Sequence, residues 1–110
     1  MSDEVVVFVT CPAVASQDIA EQLVLSSLAA CVNIVPAIKS VYKWQEKLTI
    51  DGEESLLIIK SNLARWADLE SKIREIHSYD VPEIICVPIV EGHTPYLNWL
   101  NQSVAIRAQG

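Results

Sequence analysis

Hydrophobic and polar positions switch between two periods along the chain, and the switches mark its elements. Residues 4–10, centred on Val5-Val6-Val7-Phe8-Val9, form a β-branched run that predicts a fully buried strand, broken by Thr10-Cys11-Pro12. Ser16 is placed to cap a helix with Asp18 in its first turn, and Ile19, Ala20, Leu23, Val24, Ser27 and Leu28 keep helical spacing to about Ala30. An extended stretch runs from residue 31 to about residue 47, with a bend or bulge expected at Pro36. Beyond it Ile38, Tyr42 and Trp44 share one face, and Lys39, Val41 and Lys43 the other. Residues 55–60 form a second β-rich run that closes a hairpin, whose turn local rules place at Asp51-Gly52. Ser61 or Asn62 caps a helix with the stripe Leu63, Trp66, Leu69, Ile73 and Ile76, ending near His77. Residues 84–89 read as a fourth strand. Thr94-Pro95 then opens a short helix carrying Tyr96, Leu97, Trp99 and Leu100, and the tail from Ser103 is expected to fray.

The order β-α-β-β-α-β-α, with two right-handed crossovers, predicts an α+β chain of the ferredoxin-like, split βαβ class. A four-stranded antiparallel sheet carries its helices on one face, and residues 1–110 form a single domain. The stretch after Cys31 exceeds what its own sheet uses, so the excess should project as a hairpin arm carrying Tyr42 and Trp44. An uncovered arm invites pairing, which predicts an oligomer; the plainer alternative is a bent strand with its aromatics packed at home.

Composition narrows the function classes. Of 110 residues, 51% are apolar, enough for one core, yet no apolar run reaches a membrane span. The acidic start Met1-Ser2-Asp3-Glu4 lacks the basic region of a secretory signal, so a cytoplasmic location is expected. A net charge of −6 argues against sequence-independent binding to nucleic acid or anionic lipid, and is compatible with cations. Cys11, Cys31 and Cys86 are widely spaced with no C-x-x-C pair, so a structural zinc site is not expected and all three read as reduced. Cys31 and Cys86 lie in apolar surroundings and read as inert core thiols.

Candidate chemistry is sparse. Cys11 reads as a small turn residue or, near a helix start, as a reactive or metal-binding thiol. His77 either complements a helix dipole or serves as a metal ligand or proton switch, and Glu83, across a bend, could converge with it on one ion. Lys60 and Arg65 are solvent-facing or hold an anion at a helix N-terminus, and His93 reads as exposed. No nucleophile elbow, Walker loop, G-x-G-x-x-G or H-E-x-x-H occurs, so the chain does not read as an enzyme.

Five segments carry a family resemblance. They are Ala29-Ala30-Cys31-Val32-Asn33-Ile34-Val35-Pro36, Ser40-Val41-Tyr42-Lys43-Trp44 with Lys47 beyond, Leu56-Leu57-Ile58-Ile59-Lys60, His77-Ser78-Tyr79-Asp80-Val81-Pro82-Glu83 and Tyr96-Leu97-Asn98-Trp99-Leu100. In this order they resemble the CutA divalent-cation tolerance family. The resemblance implies a PII-like homotrimer whose hairpin arms pair between subunits. It also implies a link to tolerance of copper and other divalent cations, copper binding in some members and no catalytic activity. Animal relatives are linked instead to anchoring of acetylcholinesterase. The family hairpin turns at Trp-Glu-Gly-Lys, where this chain has Trp44-Gln45-Glu46-Lys47; on that basis the turn belongs near Gln45-Glu46, and Asp51-Gly52 becomes a bulge. Copper in some members is assigned to a first-strand cysteine, a histidine and the glutamate of Pro-Glu. Here the cysteine position is Val9 with Cys11 two residues on, a histidine pair is Ile76-His77, the proline after it is Ser78, and Glu83 carries over. The expected ligands to copper or another divalent cation are therefore His77, Glu83 and Cys11. The alternatives are a PII-like sensor of a small molecule or nucleotide in the subunit clefts, using Lys60 and Tyr79, and a stable scaffold with indirect metal effects.

Overall fold

The computed structural model describes residues 3–106. Its elements are β1 (Glu4–Pro12), a 3-10 turn (Ala13–Ala15), α1 (Ser16–Leu25), β2 (Cys31–Trp44), β3 (Lys47–Asn62), α2 (Leu63–Ile76), β4 (Ile84–Pro88) and α3 (Thr94–Ser103). The four strands form one antiparallel sheet in the order β2-β3-β1-β4. This is the expected split βαβ arrangement, with both crossover helices on one face.

Side-chain alternation explains the layering. Val5, Val7, Val9 and Cys11 of β1 and Leu57 and Ile59 of β3 point to the helix layer. There they meet Ile19 and Leu23 of α1 and Leu69 and Ile73 of α2, all essentially inaccessible to water. Each such leucine or isoleucine stabilises the fold by about 1.5–3 kcal/mol relative to an exposed one. Glu4, one position out of phase with Val5, turns to the other face and accepts a 2.8 Å hydrogen bond from Asn101 of α3. Leu100 and Val104 then form a small second cluster with Ala30 and Ile89.

Several boundaries differ from the sequence expectation for identifiable reasons. β1 does not break at Thr10: Cys11 and Pro12 stay in the ladder opposite Ser55 and Glu54. Cys11 is consequently a buried strand residue and not a turn residue beside a helix start. Ser16 is the first residue of α1 and donates its hydroxyl to Ala13 O at 2.8 Å, instead of capping from outside. α1 stops at Leu25, short of Ala30. Ser27 takes φ 59°, and the amides of Ser27 and Leu28 donate to Val24 O and Leu23 O, the paired bonds of a Schellman ending. No glycine announces this stop, and buried Leu28 and Ala29 prolong the apolar rhythm past it. Asn62 caps α2 by accepting from the Arg65 amide at 3.2 Å. α3 is still helical at Ser103 and Val104 is fully buried, so fraying does not begin at Ser103; the end of the expected frayed tail lies outside the described residues.

The hairpin settles two competing turn expectations. Ladder pairing continues to Trp44↔Lys47, so Gln45 and Glu46 make the turn, with φ 50° and 69°. Asp51-Gly52 lies inside β3 instead. Register slips occur between Val35 and Ile38, where β2 carries Pro36-Ala37 against the single Ser55 of β3, and between Ile38 and Ser40, opposite Asp51 to Glu54. These bulges bend the hairpin away from the sheet, and the chain reaches 50 Å in its long dimension. The distal arm leaves Val41, Trp44, Leu48 and Ile50 more than half exposed.

At the turn, Gln45 and Glu46 hold positive φ without being glycine, a strain that the ladder on either side imposes. Glu46→Gly is expected to stabilise the fold by up to about 1 kcal/mol, relief of the left-handed conformation outweighing the added freedom of the unfolded chain. A denaturant titration checks this, and an unchanged or lowered midpoint contradicts it.

Candidate functional site

β1 ends, the hairpin arm departs and the α2–β4 connector crosses at one corner of the sheet. The three bound a groove of about 700 Å³. Thr10 forms its floor. Ser40, Val41, Tyr42 and Trp44 of β2 and Asp51 and Glu54 of β3 form one side, and Tyr79 to Val81 with Glu83 the other.

His77 places the connector. Its backbone N–H still bonds to Ile73 O at 2.9 Å, but its own φ and ψ of −78° and 141° are extended, so the helix ends there. The ring folds back onto β1, with Nε2 2.8 Å from Thr10 O, while Nδ1 lies 3.1 Å from the Tyr79 amide. An amide N–H only donates, so Nδ1 is the acceptor and Nε2 carries the proton given to the Thr10 carbonyl. The ring also lies against Tyr79, centroids 4.7 Å apart and tilted by 50°.

Tyr79 in turn donates its hydroxyl to Glu54 Oε2 at 2.9 Å. Glu54 is only 4% exposed. Burial raises the ionisation of the Tyr79 phenol well above its ordinary range, reinforced by the hydrogen bond to Glu54 and by the charges of Glu54 and Asp51. The phenol therefore stays a donor at every physiological pH. Cys11, fully buried beneath the same corner, has its thiol pushed up to about 11, first by burial and then by the Glu54 charge.

The expected ligands are not assembled into a ready site. Glu83 is exposed on the groove wall, His77 has both ring nitrogens engaged, and Cys11 is sealed behind the sheet as a neutral thiol. Among the described residues, no three of His, Cys, Asp and Glu stand close enough to share an ion. The donor set therefore does not fit a metal as it stands in one subunit. Lys60 pairs with Val6 and Cys31, six positions along β3 from Glu54, or roughly 20 Å, so it does not join Tyr79 in one site. Arg65 lies in the first turn of α2 with most of its side chain covered, and exposed His93 sits at the N-cap of α3. Cys31 and Cys86 are half-buried rather than core residues, although Cys86 packs against the main cluster. Sequence reasoning missed Asp51 and Glu54, because a glutamate in a Gly-Glu-Glu stretch looks solvated. The available signal was register: once the turn is at Gln45-Glu46, Glu54 lies inside β3 opposite Ile38, and β1, continued to Pro12, flanks it on the other side.

The family model described as CutA1 divalent ion tolerance protein matches residues 5–103. The chain belongs to the CutA1 divalent ion tolerance family. It is 41% identical over 101 residues to the "Divalent-cation tolerance protein CutA" of Thermus thermophilus, covering 91% of this chain and 97% of that one. It is 47% identical over 100 residues to the chloroplastic CutA of Arabidopsis thaliana, covering 90% of this chain but only 54% of that protein. Among solved structures, CutA1 of Shewanella sp. SIB1 superimposes with a TM-score of 0.90 at 34% identity, covering 96% of this chain and 98% of that one. The Thermus thermophilus structure gives 0.89 at 41% identity, covering 93% and 99%. The CutA1 fold and its four-stranded antiparallel sheet are thus shared along nearly the full described length.

The Cys11 environment yields a pH-dependent expectation. With its pKa raised to about 11, the thiol is uncharged across the neutral range, and about one molecule in a thousand carries the thiolate at pH 8. Iodoacetamide at pH 8 should leave Cys11 unmodified in the folded protein and alkylate it after denaturation, with native reactivity rising only as the pH approaches 11. Peptide mass spectrometry reads this out; native labelling of Cys11 as fast as Cys31 contradicts it.

Proposed function

We propose that the chain is the subunit of a homotrimer that binds a divalent cation, copper being the first metal to test. The binding site lies at the connector end of the groove. Glu83 and His77 supply this chain's ligands, and a neighbouring subunit completes the set. The carrying observation is the acidic groove itself: Asp51, Glu54, Asp80 and Glu83 line it, with no lysine or arginine among its lining residues. Family membership and the names of relatives as divalent-cation tolerance proteins support the same reading.

Physical argument supports each part. β2 and β4 are the outer strands of the sheet, and the arm exposes Trp44 at 57%, Leu48 at 72% and Ile50 at 62%. An exposed apolar hairpin of this kind is stable when a second chain covers it. For His77 to ligate an ion, it must give up either the Tyr79 amide or the Thr10 carbonyl, so metal uptake would be coupled to the connector. Cys11 as a ligand would require both exposure and loss of its proton. The role is one of binding and not of catalysis, and a cytoplasmic location is part of the proposal.

Calorimetric titration of the metal-free protein with Cu(II), alongside light scattering for mass, tests it. Expected are three subunits per particle and stoichiometric uptake, weakened at least tenfold in His77→Ala and in Glu83→Gln. A monomer, or weak binding unaffected by either substitution, overturns the corresponding part.

A further inference from the structure

α3 has little of its own to keep it folded. It is ten residues long, its N-cap His93 makes no side-chain hydrogen bond, and neither end carries a charge that complements the helix dipole. Apart from a proline in its first turn it has no terminal signal. A helix this short is marginal in water unless packing holds it. Yet Leu100 is the one buried residue within it, and Leu100 packs with Val104, Ala30 and Ile89 in a cluster separate from the main core.

The other fastening of α3 is a chain of hydrogen bonds through three side chains. Asn101 Nδ2 donates to Glu4 Oε2 at 2.8 Å, Asn62 Nδ2 donates to Asn101 Oδ1 at 3.0 Å, and the Arg65 amide donates to Asn62 Oδ1 at 3.2 Å. Its direction is fixed from the Glu4 end. A carboxylate only accepts, so Asn101 must turn its NH₂ group to Glu4. The Asn101 carbonyl is then left for the NH₂ group of Asn62, and the Asn62 carbonyl is left for the first turn of α2. A carboxylate on β1 thus orients the cap of α2, and the link between them belongs to α3. Glu4 is 6% exposed, and its Oε1 is sealed without a donor among the described residues, so the docked arrangement carries the cost of an unmet acceptor.

We infer that α3 is a strap that leaves the sheet by local opening, and that its docking and the capping of α2 are one cooperative event carried by Asn101. When α3 lifts, the Asn62 side chain loses the acceptor that orients it, and the Arg65 amide loses a fixed partner. The main core stays closed, because its cluster and that of α3 have no residue in common. The inference goes beyond the divalent-cation reading and does not rest on it.

Hydrogen exchange of the full ¹⁵N-labelled chain at neutral pH, followed amide by amide, tests it. Expected is faster exchange of the α3 amides from Leu100 to Ser103 and of the Arg65 amide than of Val7 in β1 or Leu69 in α2. Asn101→Leu should speed both the α3 amides and Arg65 at least tenfold, with Val7 and Leu69 changing far less. Asn98→Leu, the same change at an exposed position of α3, should leave the Arg65 amide as it is in the wild type. Should Asn101→Leu not fold, Asn62→Asp keeps an acceptor for the Arg65 amide but removes the donor to Asn101. In that variant α3 should exchange at least tenfold faster while Arg65 no longer follows it. Protection of α3 equal to that of Val7 overturns the inference, as does an Arg65 amide indifferent to Asn101→Leu or an α3 indifferent to Asn62→Asp.

Discussion

The imidazole of His77 joins two parts of the chain that are distant in sequence, donating a hydrogen bond to the Thr10 carbonyl and accepting one from the Tyr79 amide. Thr10 belongs to the central strand and Tyr79 to the connector, so the ring sets how far the connector stands from the sheet. That spacing lets the Tyr79 hydroxyl reach Glu54 and opens the groove between them. His77 is 8% exposed, so both bonds form where water competes poorly. Core packing of β1 and β3 against α1 and α2 holds up the two ends of this bridge, but the groove's shape follows from the bridge.

Charge and shape then pull in one direction. A strand that carries Glu54 opposite Pro12 places a carboxylate at a ladder position where β1 offers no amide. Tyr79 supplies a donor that stays protonated because of that same carboxylate. The bulges at Pro36-Ala37 and near Gly52 bend the arm so that Tyr42 and Asp51 overlook this pair. Backbone irregularity, buried charge and aromatic surface thus coincide at one corner, while the remainder of the sheet is regular.

Much of the fold was legible in the sequence because its signals were strong and local. The β-branched run from Val5 to Val9 as a strand and the stripe through Leu69 and Ile73 are read correctly from spacing alone, and of the two caps offered, Ser61 or Asn62, the structure uses Asn62; β1 itself is buried on alternate residues, not throughout. The failures have a common physical origin in tertiary context overriding a local cue. Asp51-Gly52 is a hairpin-turn dipeptide, but continued pairing of Ser40 through Trp44 costs less than ending the ladder there, and Gln45-Glu46 accept positive φ instead. Ser27 ends α1 in a conformation usually given to glycine. At the site, His77 and Glu83 were identifiable as residues that flank a bend, and both lie beside the groove. Their chemistry was not identifiable, because partners such as Thr10 O and the Tyr79 amide are backbone atoms that leave no trace in composition. Glu54 was invisible for another reason, its burial being a consequence of strand register.

The tautomer of His77 is the most direct measure of this account. A long-range proton–nitrogen correlation spectrum of the ¹⁵N-labelled, metal-free protein resolves the two ring nitrogens. The account predicts a protonated Nε2 and an unprotonated, hydrogen-bond-accepting Nδ1 in the folded protein at neutral pH. A proton on Nδ1, or a ring exchanging between tautomers, would mean that the Tyr79 amide is not held and that the groove is not built around this bridge.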